Sequence, residues 1–246
     1  MMSRAMLDWL KRDPREAPQI ELADRTLPIV IRRLAHARRL TLRLSPDGSE
    51  ARVTMPRWGR TAEALAFARA RADWLERQIA ALPQTVAPSG GGTLAYRGRV
   101  LAIKHSAEGP RRVRLTDDAI VLGGPAETLG PRLRRWLATE ARRLLAEELA
   151  HYCAQAGLPV PKLALSNAQR RWGSCSAKGA VRINWRLVMA PDFVRRSVVA
   201  HEVAHLVHFD HSARFHGLLG NLYEHDIAEA NRWLKREGRA LYAAFG

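Results

Sequence analysis

The spacing of apolar positions changes several times along the chain, and each change marks a predicted element. Leu27 to Leu34, Arg39 to Leu44 and Ala51 to Met55 alternate apolar and polar residues. Ser45-Pro46-Asp47-Gly48 turns the chain between the last two, so three short strands are predicted. Thr61 to Leu82 shifts to a helical period, with Thr61 at the N-cap and Pro83 as the stop. Pro88 to Gly92 reads as a linker. Beyond it the order recurs, with strands over Leu94 to His105, Arg111 to Leu115 and Ala119 to Leu122. A long helix follows from about Ala126 or Pro131 to Ala156, stopped by Gly157 and Pro159. Strands followed by a helix, twice over, hint at a structural echo with little residue identity. From Pro161 the pattern changes again. Lys162 to Ser166 and Ala180 to Leu187 are strand-like, and Pro191 opens a helix with Asp192 in its first turn. That helix ends around Asp210-His211-Ser212. A short helix from Ser212 to about Gly220 and a last one from about Glu224 to Phe245 complete the chain. The fold class is α+β, with a helix packed on a small sheet at 161–246. Before that core come a leader at 1–24, a strand-rich part with a helix at 25–88 and a second strand-helix unit at 89–160.

The most specific chemistry sits in the helix that follows Pro191. His201-Glu202-Val203-Ala204-His205 is an H-E-x-x-H motif embedded in apolar residues from Val198 to Phe209. Histidines four apart share a helix face, so both imidazoles reach one metal ion, and the adjacent glutamate can take a proton from water beside it. A chain of this composition would contain the motif by chance roughly 0.02 times. Burying three polar groups together costs several kcal/mol unless they share a partner. Two core histidines bonded to carbonyls, with Glu202 paired to an arginine, is therefore the weaker reading. A catalytic zinc takes a third protein ligand. His208 lies ~10 Å along the helix from His201, too far to share its ion, and reads as a wall residue. His211 has the first-to-third histidine offset of the metzincin pattern, although His208 stands where that pattern has glycine. The chain would then turn at Phe209-Asp210. Glu224 is the competing third ligand and would make a His-His-Glu set.

Composition limits the setting. At 246 residues and 47% hydrophobic, the chain can bury a sizeable core. It has no apolar run of transmembrane length, and its first residues lack a signal-peptide pattern, so a cytoplasmic protein with no membrane partner is expected. Two cysteines, Cys153 and Cys175, exclude a disulfide framework and a Cys-rich zinc site. Cys175 has no paired base nearby and reads as a small buried thiol. The net charge of +16, carried mostly by arginine, attracts polyanions such as nucleotides or nucleic acid. A GC-biased genome that uses arginine for lysine gives the same composition.

Arg171-Trp172-Gly173-Ser174-Cys175-Ser176, Asn184 to Leu187, Val199 to Leu206 and His211-Ser212-x-x-Phe215 occur in an order and spacing that resembles the YgjP-like metallopeptidase domain family. That family looks distantly related to SprT-type zincins. The resemblance implies a zincin-like core with His201, His205 and His211 as ligands of Zn²⁺ or another divalent transition metal, and Glu202 as catalytic acid/base. Asp210 and His216 depart from the family pattern. Asp210 stands ready to orient a ligand imidazole, and His216 to line the pocket. In the Arg171–Cys175 segment, Arg171 suits a substrate carboxylate or phosphate, and Asn184 offers an amide to a developing oxyanion. The bland alternatives are a structural ion pair for Arg171, core filling for Trp172 and a turn for Gly173. The expected function is a zinc-dependent hydrolase acting on a peptide or protein. Two rivals remain: a nucleoside triphosphate pyrophosphatase, and a nucleic-acid-associated SprT-like protein. Phosphoryl chemistry favours carboxylate-rich Mg²⁺ sites, and this site is histidine-rich.

Overall fold

A computed structural model describes residues 18–45, 48–82 and 87–245. The chain divides into two compact units, Met1–Leu82 and Pro83–Gly246. In the first, β1 (Gln19–Glu21), β2 (Thr26–Leu34), β3 (Thr41–Leu44) and β4 (Ala51–Pro56) form a sheet of order β1-β2-β4-β3. Period-two alternation puts Leu27 and Ile29 of β2, and Ala51, Val53 and Met55 of β4, on one face. They pack with Ala64 and Ala68 of α1 (Thr61–Arg69) and Leu75 of α2 (Ala72–Ala80). β1 falls inside the expected leader, and its Ile20 is buried; residues 1–17 lie outside the described residues. The helix predicted over Thr61 to Leu82 is broken at Ala70–Arg71. There the Arg71 guanidinium lies 3.7 Å from the Phe67 ring centroid and donates to the Phe67 carbonyl at 3.2 Å, the acceptor that a continuous helix would use. The N-cap is Arg60, one residue earlier than expected, and its amide donates to Glu63 Oε2.

The second unit opens with β5 (Thr93–Tyr96), β6 (Arg99–Ser106), β7 (Arg114–Leu115) and β8 (Ala119–Gly123), in the order β5-β6-β8-β7. Its inner pair is parallel and its outer pairs antiparallel, the same pattern as in the first sheet. The echo in the sequence is therefore one of topology. The single strand predicted over Leu94 to His105 is a hairpin. Arg97 and Gly98 both have positive φ (50° and 76°), which a two-residue turn between twisted strands requires. The tip of this turn meets the segment at 188–189, well downstream in the chain: Arg97 and Gly98 amides donate to the carbonyls of Val188 and Met189.

α3 (Leu129–Gln155) buries Leu133, Leu137, Ala141, Leu144, Leu145, Leu149 and Tyr152, one stripe at helical spacing. β9 (Leu163–Ser166), β10 (Gly173–Cys175) and β11 (Val181–Asn184) make the third sheet, with order β10-β11-β9 and β10 at an edge. The strand expected to run to Leu187 turns instead at Trp185–Val188. Asn184 Oδ1 caps that turn by accepting from the Arg186 amide. Next come α4 (Asp192–Val207), α5 (Ala213–Leu222) and α6 (Ile227–Glu237). Asp226 caps α6 by accepting from the Ala228 amide. A tight turn over Gly238–Tyr242 replaces the end of the predicted last helix. Among the described residues, three small mixed sheets and six α-helices make an α+β fold consistent with the zincin-like kind. Among the described residues no helix is long and apolar enough to cross a membrane.

α4 carries the motif, and two sets of interactions fix it. Val199, Ala200, Val203 and Ala204 are fully buried in the core that α4 shares with α3 and the second and third sheets. Arg195, also buried, donates to both Glu148 oxygens (2.7–3.1 Å) and to Asp192 Oδ1 at 2.8 Å, and Asp192 also pairs with Arg97. Burial pushes the Glu148 carboxyl up, against the pull of Arg195. Removing one partner of such a pair strands the other charge. Glu148→Ala is expected to cost about 3–5 kcal/mol of stability. The measurement is the denaturant midpoint, with Glu148→Leu/Arg195→Met as the comparison that recovers most of the loss.

Candidate metal centre

His201 and His205 lie one turn apart on α4, so their rings leave the helix in the same direction. α4 stops at Val207. His208 adopts extended dihedrals (φ −126°, ψ 107°), the chain bends at Phe209–Asp210, and His211 swings back over the helix end. His205 Nε2 and His211 Nε2 then lie 3.1 and 3.3 Å from His201 Nε2. One ligand atom from each of the three histidines falls within 4.8 Å of the others. Nitrogens around a tetrahedral ion at ~2.0–2.1 Å stand ~3.3–3.4 Å apart, so the spacing fits. His205 Nδ1 lies 3.0 Å from the His208 carbonyl, which can only accept. The proton is therefore on Nδ1, and the Nε2 lone pair faces the cluster. Burial, then the neighbouring His205, His211 and His216, pull the His201 pKa down to about 4, so that ring is neutral at pH 7. Phe215 of α5 packs against all three imidazoles, with centroid distances of 4.6–4.9 Å, and limits their rotation.

Glu202 projects from the next position on α4 toward β10. It is buried, and its Oε2 has no hydrogen-bond partner among the described residues. Burial raises its pKa to about 7, with Arg171 pulling the other way. An orphaned carboxylate oxygen beside three converging imidazoles fits a divalent ion and its water.

The sequence profile of the YgjP-like, metallopeptidase domain family matches residues 38–237. The chain belongs to that family. No curated protein and no solved structure matches it significantly. Membership supports a metal-dependent hydrolase of the peptidase kind and implies a divalent metal, typically zinc.

Other residues of this YgjP-like chain that were expected near the site divide into those brought to it and those held elsewhere. Arg171 is exposed, and its charge is felt by Glu202. His216 is exposed on α5, its ring centroid 6.4 Å from that of His211. Asn184 is not free to stabilise an oxyanion. It is fully buried, its amide donates to the Ala168 carbonyl and the Tyr242 hydroxyl, and its oxygen caps the following turn. Glu224 is held away from the histidines by the Tyr152 hydroxyl at 2.7 Å and by Arg196. Burial pushes its carboxyl up, but those hydrogen bonds prevail and hold the pKa at about 2. Asp210, exposed, bonds Ser212 at the start of α5. His208 contributes its backbone carbonyl.

Sequence reasoning missed two features. Gly173 is in β10 without positive φ, so it serves no turn. A Cβ built on it would lie 2.2 Å from Glu202 Oε1. The second is a cavity of about 210 Å³ beside His201 and Glu202, which α6 closes with Ile227, Asn231 and Leu234 and which Trp172 and Val198 also line. The apolar face of α6 signals burial, but its partner is distant in sequence.

Proposed function

We propose that the chain is a zinc-dependent peptidase in which His201, His205 and His211 hold the ion and Glu202 is the general base. The observation that carries this reading is the convergence of three imidazole nitrogens beside a buried carboxylate whose Oε2 has no partner among the described residues. When bound, the ion supplies Lewis acidity that lowers the pKa of a coordinated water and polarises a carbonyl. His201, His205 and His211 present their ring nitrogens to it, held by Phe215 and, for His205, by the His208 carbonyl. Glu202 Oε2 accepts a proton from the attacking water, then returns it to the departing amine nitrogen. β10, an edge strand next to Glu202, offers backbone groups to an extended peptide. The cavity between α4 and α6, lined by apolar Trp172, Val198, Ile227 and Leu234 and by polar Ser197 and Asn231, takes a substrate side chain, and Arg171 favours an acidic group on the substrate.

The test combines metal analysis with cleavage of an unfolded protein such as casein. Purified protein is expected to hold about one zinc per chain and to lose cleavage on chelation. His211→Ala should lower bound zinc at least tenfold, while Glu224→Ala should leave it unchanged. Loss of zinc in Glu224→Ala alone would overturn the three-histidine set. Zinc retention with no cleavage of any peptide would overturn the peptidase reading.

A further inference from the structure

A second concave site lies on the same unit and shares no residue with the metal centre or its cavity. The loop after β6 brings Arg111 and Arg112 opposite Arg132 and Arg135 of α3, across a trough of about 730 Å³ with Trp136 in its wall. We infer that this trough binds a nucleotide unit, its phosphate on the arginines and its base on the Trp136 ring.

Charge is the first argument. Among the described residues, none of the ion pairs involves any of these four arginines. The one acid in the wall, Glu140, is already engaged. It pairs with Arg143 at 2.8 Å and accepts from the Tyr96 hydroxyl at 2.9 Å. Guanidiniums on a convex helix face repel one another little, because water screens them. Gathered around a concavity whose one acid is already paired, they raise a positive potential that an oxyanion relieves. Fork geometry makes arginine the side chain best matched to phosphate oxygens. Rigidity is the second argument. Arg132 donates to the Arg111 carbonyl and to Thr128 Oγ1, which ties the loop to α3. Trp136 packs against Tyr96 at a 35° tilt with centroids 5.0 Å apart, so its half-buried ring is fixed in place. A fixed indole beside arginines is the arrangement on which bases stack.

Two sources supply this chemistry, a free nucleoside phosphate and a nucleotide within a single strand. The experiment uses the full chain and a fluorescein-labelled oligothymidylate of about 12 nucleotides, read by anisotropy across a salt series. Arg132→Ala/Arg135→Ala is expected to raise the dissociation constant at least tenfold and to flatten the log–log salt slope by about 1.4. Arg111→Ala/Arg112→Ala, on the opposite wall, should do the same and stands in if the first pair misfolds. Trp136→Leu should weaken binding about 5- to 150-fold, while Trp136→Phe restores most of it. Displacement by thymidine triphosphate assigns the site to free nucleotides, and displacement by unlabelled strand alone assigns it to nucleic acid. Absence of binding by the parent chain overturns the inference. So does an equal loss in Arg69→Ala/Arg77→Ala, which removes the same charge from exposed positions of the first unit.

Discussion

Glu202→Gln is expected to keep its zinc and lose hydrolysis by about 10²–10⁴-fold or more in kcat/KM. The change replaces one oxygen by an NH₂ group, with almost no change in shape. The carboxamide cannot accept a proton, so water activation and delivery to the leaving amine both fail. The structure separates this outcome from a folding defect. Among the described residues Glu202 Oε2 has no partner to lose, and a buried carboxylate oxygen without one is destabilising. The metal-free variant should therefore melt at the parent's temperature or above it. Metal content, thermal melting and turnover together decide the matter. Unchanged turnover would remove Glu202 as base, whatever its position.

Much of this site was legible because its chemistry is local. His201, Glu202 and His205 are set by one turn of helix, and apolar neighbours announce that the helix is buried. His211 was legible as an offset, but its convergence depends on α4 ending at Val207 and on the extended His208 that follows. The competition with Glu224 could not be settled from spacing. Tyr152 and Arg196, from positions far away in the chain, capture that carboxylate, which favours His211. Asn184 misled for a related reason: an amide in a motif can serve a substrate or a turn, and only its hydrogen bonds tell them apart. Strand breaks were lost where one residue decides. The Arg97–Gly98 hairpin tip interrupts an apolar run whose period survives on either side. β10 is only three residues long, too short for alternation to show, yet it forms the wall against which Glu202 sits.

That wall gives the second large effect. Gly173→Ala is expected to lower kcat/KM by about 10²-fold at unchanged zinc content, the usual scale for a misplacement of ~1 Å. Its backbone has no positive φ, so an alanine is conformationally tolerable there. The obstacle is the Glu202 carboxylate, with Oε1 2.2 Å, Cδ 2.7 Å and Cγ 2.8 Å from the added methyl. Either Glu202 rotates away from its place beside His201, or β10 shifts outward and the edge offered to substrate moves. Neither displaces the imidazoles, which are held from α4 and α5. Overpacking costs about 1–3 kcal/mol, within reach of a core this size. A double-variant cycle identifies the partner. Glu202→Ala removes the Cγ, Cδ and Oε1 atoms that meet the new methyl, so in thermal melting adding Gly173→Ala to Glu202→Ala should cost far less than adding it to the parent. Additive losses would mean that Gly173 acts on β10 alone. A Gly173→Ala enzyme as active as the parent would mean that Glu202 works from a position other than against the strand.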